Sequence, residues 1–96
     1  MDREDKVLSI IYHVIDELNL NYSSDKIQKK LEAKLTGEGG ILDSLGLVEL
    51  LVQIEEKLYT EFQISLNLSD TKRLSSVLNP FLTVGTLKDH ILHQLE

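Results

Sequence analysis

The sequence predicts an all-α fold: a small bundle of three main helices plus one short helix, with a long loop between helices 1 and 2. Three observations predict it. Apolar residues recur at three- and four-residue spacing in separate stretches, no apolar–polar alternation persists long enough for a sheet, and the one proline closes the shortest stretch. At 96 residues and 42% hydrophobic content, the chain makes a single domain, 1–96, with room for one small core.

The first helix is expected over residues 4 to 19, where Val7, Leu8, Ile11, Val14, Ile15 and Leu18 form one stripe and Ser9, His13, Asp16 and Glu17 fall opposite. From Asn21 to Gly40 the pattern weakens to a long loop, with a helical turn expected around Asp25 to Leu31 and with Leu31 and Leu35 as anchors. The second helix runs from Asp43 or Ser44 to about Leu58. The third is short: Ser69 caps it, Leu74, Val77 and Leu78 line one face, and Asn79-Pro80 stops it. The last starts near Thr83 and carries Val84, Leu87, Ile91 and Leu95 on one side.

Composition excludes several functions. With no cysteine there is no disulfide framework, thiolate nucleophile or cysteine metal site. A net charge of −6 argues against nucleic acid, whose phosphates select basic surfaces, and favours partners carrying basic patches. The N-terminal stretch mixes charge into its apolar run, unlike a signal peptide or a membrane span, so a cytoplasmic protein is expected; a monomer is expected as well.

The second helix is the most informative. With Ser44 at zero on a wheel of roughly 100° per residue, Leu47, Leu50, Leu51, Ile54 and Leu58 gather near roughly 300° and must face the core. Leu45, Val48 and Val52 form a second, narrower stripe, interleaved with Glu49, Glu55 and Glu56. An apolar row among acids is the pattern of a contact patch, although the loop from Asn21 to Gly40 could instead fold over it. The row begins beside Ser44, at the end of the helix where unpaired N–H groups and the dipole favour an anion such as a phosphate ester. Gly39 and Gly40 are expected to leave room there for a large protein, and Gly46 to leave the first turn uncrowded. A capping role for Asp43 or Ser44 explains the same residues.

The segment "LDSLGLVELLVQIEEKL" resembles the attachment site of acyl carrier proteins: an Asp-Ser-Leu triplet opening a helix, then Val-Glu-Leu and Ile-Glu-Glu. "FLTVGTL", residues 81 to 87, is similar to the Thr-Val start of that family's last helix, so the likeness covers nearly the whole chain. The resemblance implies a carrier with no catalysis of its own. A phosphopantetheinyl transferase would move 4′-phosphopantetheine from coenzyme A to Ser44, reading Asp43 and Leu45, and the arm's thiol would hold an acyl group as a thioester. Leu45, Val48, Glu49, Val52, Glu55 and Glu56 would receive the acyl-loading and acyl-processing enzymes. Cargo would shelter among Leu50, Ile54, Leu58 and Phe62.

The chain departs from the family pattern in three places. Gly46 replaces the acid usual in fatty-acid carriers, Lys57 interrupts the acidic row, and the segment from Phe62 to Pro80 is longer than usual. Gly46 within "SLGLVELL" also resembles carriers of D-alanyl or other aminoacyl groups. Three readings stay open: an acyl carrier for fatty-acid, lipid or a specialised biosynthesis, an aminoacyl carrier, and an unmodified helical interaction module.

Other chemistry finds less support. His90 and His93 have a spacing that can bind metal, but both are expected on the solvent side with no further ligand beside them. Nothing sets a histidine against Ser44 to make a triad, and Glu55 and Glu56 point about 100° apart, too far to work as an acid–base pair. The "GEGG" stretch lacks the lysine of a phosphate-binding loop. No metal site and no enzyme activity are expected.

Overall fold

The computed structural model describes residues 2–20, 27–36, 40–66, 68 and 81–95. They form three helices, α1 (Arg3–Asn19), α2 (Ser44–Phe62) and α3 (Val84–Leu95), in a small all-α bundle. Helix α1 packs against both α2 and α3. The short helix expected from Ser69 and its stop at Asn79-Pro80 lie outside the described residues.

Helix α1 starts where the Asp2 carboxylate accepts the Asp5 N–H at 2.8 Å, with Glu4 and Asp5 complementing the positive end of the dipole. Val7, Ile10, Ile11, Val14, Ile15 and Leu18 are buried. Ile10 joins the expected stripe, while Leu8 sits at its edge, partly buried. Beyond the helix, the Asn19 amide exchanges two hydrogen bonds with the Ile27 backbone, both 2.9 Å, which seats Ile27 in the core.

Among the described residues, the long connection is bonded to the start of α3. Residues 29–32 make a bend and a turn, and the chain then runs extended through Ala33, Lys34 and Leu35. Lys34 and Thr83 form an isolated antiparallel bridge. The Leu35 N–H donates to Leu82 O (2.8 Å), while Val84 and Gly85 donate to Ala33 O (3.0 Å) and Leu31 O (2.8 Å). Helix starts leave such N–H groups unpaired, so this segment supplies the acceptors that α3 lacks. Thr83 and Thr86 complete the start, each hydroxyl accepting the other's N–H at 3.1 and 3.0 Å in a reciprocal cap. Extended backbone alternates its side chains, so Ala33 and Leu35 are buried and Lys34 between them is exposed; Leu31, expected as an anchor, lies in the preceding turn and is 42% exposed.

Buried residues from all three helices, with Ile27, Leu35, Leu42, Leu68 and Phe81, form one apolar cluster. His90 departs from expectation: it is half-buried, its ring edge-on to Phe81 at 5.7 Å, whereas His93 is exposed. Gly40 also has a different role. A Cβ there would fall 2.5 Å from the Thr36 carbonyl carbon, so this glycine admits the chain's own backbone rather than a visiting protein. Gly39 lies outside the described residues. No helix among the described residues is long and apolar enough to cross a membrane.

Candidate functional site

At the start of α2, Asp43 is the cap: its backbone is extended and its carboxylate accepts the Gly46 N–H at 2.7 Å. Ser44 therefore occupies the first helical position and is not the capping residue. The Ser44 side chain lies outside what the structure describes. Its two neighbours are both exposed, Leu45 at 78%. Among the described residues, Leu45 is left with most of its apolar surface open to solvent at the mouth of the helix.

The two faces of α2 separate as the wheel predicts. Leu47, Leu50, Leu51, Ile54 and Leu58 are all buried. On the other face Leu45 and Val52 (39%) are exposed, and Val48 between them is half-buried. Tyr59, 61% exposed, continues the row seven residues past Val52. Seven residues return a helix to nearly the same direction, so Leu45, Val52 and Tyr59 align over about 21 Å. Tyr59 was legible from that spacing but falls past the expected helix end at Leu58; α2 runs one turn further, to Phe62. It closes at Gln63, whose left-handed backbone (φ 57°) lets its N–H reach Tyr59 O at 2.8 Å.

The acids divide into two kinds. Glu49 and Glu56 are exposed beside the row. Glu55 is half-buried, and its carboxylate accepts the Leu68 N–H at 2.7 Å, tying the segment after α2 back onto the helix. Lys57 does not interrupt the row: it reaches toward α1, 3.6 Å from the Glu17 carboxylate.

Leu50, Ile54 and Leu58, expected to shelter cargo, are fully buried, and Phe62 is half-buried. Among the described residues, two of the surface clefts lie elsewhere. One, about 450 Å³, opens between α1 and α2 around Lys6, Ile10 and Lys57. The other, about 480 Å³, lies between the end of α2 and the segment after it, around Glu55, Tyr59 and Leu66.

Fold and site together define a small helical bundle with an exposed apolar and acidic helix face starting at a serine. Comparison with protein-family models, curated proteins and solved structures found no match for the chain.

Proposed function

We propose that the protein is a carrier that holds an acyl or aminoacyl group on 4′-phosphopantetheine joined to Ser44 through a phosphodiester. The observation that carries this reading is the placement of Ser44: first in α2, relieved of capping by Asp43, and next to the exposed Leu45. A tether needs an anchor at the surface, and an anchor that also capped the helix would destabilise it on modification.

The group fits this setting. The first turn of a helix favours a phosphate, since its N–H groups and dipole face the anion. The Asp43 carboxylate opposes that attraction, though its oxygen is already bonded to the Gly46 N–H. When bound, the arm supplies a thiol for thioester formation, which a chain without cysteine cannot provide. This chain's own residues do the rest. Asp43 and Leu45 present the attachment point to a phosphopantetheinyl transferase. Leu45, Val48, Val52 and Tyr59 offer apolar contact, while Glu49 and Glu56 steer partners with basic patches. Glu55 holds the surface in shape from its edge. The resemblance to acyl carriers implies work in the cytoplasm, within fatty-acid, lipid or a specialised biosynthesis.

The test is intact mass after incubation with coenzyme A and a broad-specificity phosphopantetheinyl transferase. The wild type should gain one arm and Ser44→Ala none. An unmodified mass with several transferases would reduce the protein to a helical interaction module using the same row. Mass analysis of the native thioester separates acyl from aminoacyl cargo.

A further inference from the structure

The cleft between α1 and α2 lies apart from the proposed docking row and does not depend on the carrier reading. One wall is a stripe of α1, Lys6, Ser9, Ile10 and His13, at i, i+3, i+4 and i+7; the other is Lys57, Thr60 and Glu61 of α2. We propose that this cleft binds a small organic phosphate, a phosphate monoester carrying an apolar group.

The lining sets that chemistry. Each wall brings an ammonium group, Lys6 and Lys57, in a chain whose net charge is −6. Lys6 makes no ion pair among the described residues; its ammonium lies 5.8 Å from the centre of the Phe62 ring, which attracts it without neutralising it. Lys57 is paired only loosely, at 3.6 Å from the Glu17 carboxylate, and the same oxygen stands 2.9 Å from His13 Nε2. Glu17 is itself well exposed to solvent. A pair of that kind is weak and readily redirected to an incoming anion. Two point charges from facing walls favour a phosphate ester, of charge about −1.5 to −2, over a singly charged carboxylate.

The rest of the cleft selects the remainder of the ligand. A volume of about 450 Å³ is that of a small-molecule site and far exceeds a phosphate group. Ile10, a core residue, lines the cleft with the small part of its apolar surface left outside the core. Thr60 has committed its hydroxyl proton to Glu56 O at 3.1 Å, so toward the cleft it offers a methyl group or an acceptor. Glu61 is the opposing charge of the lining and limits the affinity for any anion.

Titration of the 15N-labelled full chain at constant ionic strength tests the proposal, with phenyl phosphate, inorganic phosphate and phenol as probes. Phenyl phosphate should give saturable shifts centred on the amides of Lys6, Ile10, Lys57 and Glu61, and should bind more tightly than either fragment. Lys6→Gln and Lys57→Gln should each weaken it by about fivefold, and Glu61→Gln should strengthen it by about threefold. Amide spectra that keep their dispersion show that each variant is folded. Shifts that do not saturate, shifts centred outside the cleft, equal affinity for inorganic phosphate, or lysine variants that bind like wild type would each overturn the proposal.

Discussion

Glu55 and Glu56 are adjacent acids that the sequence assigns to the same docking face, and the structure predicts that they behave differently. Glu55→Ala removes the acceptor of the Leu68 N–H, a 2.7 Å bond to the backbone of a residue that is itself buried. An orphaned buried donor costs about 1–3 kcal/mol. Because Glu55 is only half-buried, solvent replaces part of the bond, and the lower half of that range applies: about 1–2 kcal/mol. In a domain of this size that lowers the thermal midpoint by roughly 5–10 °C. Glu56→Ala touches an exposed side chain and should stay within about 0.5 kcal/mol of wild type. Urea unfolding of both variants measures the difference. Transferase loading followed by mass should show the reverse order per folded molecule, with Glu56→Ala slowed most at low salt. Equal stabilities for the two variants would refute the claim that Glu55 anchors the segment after α2.

Capping gives a second contrast: Asp43→Ala should cost about 1 kcal/mol in urea unfolding and Ser44→Ala less than about 0.5 kcal/mol, and the opposite order would move the cap to Ser44. Gly40→Ala should destabilise by about 2 kcal/mol or more, because its Cβ would meet Thr36 backbone atoms 2.5–2.7 Å away; a neutral result would mean that the chain passes elsewhere. The Lys88 ammonium, 3.0 Å from Glu4, is held above its ordinary value of 10.5 chiefly by that hydrogen bond, with Asp89 adding to it against some desolvation. A raised lysine value stabilises the fold in full below the unfolded-chain value, and the contribution disappears as pH rises through the folded one. The stability difference between wild type and Lys88→Met should therefore hold steady at neutral pH and shrink above pH 10.5, as read by urea midpoints across that range.

Much of the site was visible in the sequence because it lies along one helix. The burial of Leu47, Leu50, Leu51, Ile54 and Leu58, and the gathering of Leu45 and Val52 on a second face, follow from residues three, four and seven apart on a rod. Tyr59 obeys the same rule and was missed only through a helix end placed a turn too early. The long loop was harder. Its bonds run to residues 82–85, 46 to 54 positions away, and no local pattern announces them. His90 was misplaced for a related reason: the wheel turns it outward, but Phe81, just before α3, comes back to meet its ring.

By itself, the sequence determined the three helices, the face of α2 that enters the core, and the apolar and acidic row on the opposite side, since each follows from helical periodicity among neighbours. It took the tertiary structure to decide that Leu45, Val52 and Tyr59 are exposed, that Glu55 is bonded while Glu56 is exposed, that Gly40 makes way for Thr36, and that α1 and α2 form a cleft with a lysine on each wall. Those outcomes depend on which distant segments arrive beside a given residue. Packing of the whole core settles that, and the spacing of side chains along one element does not.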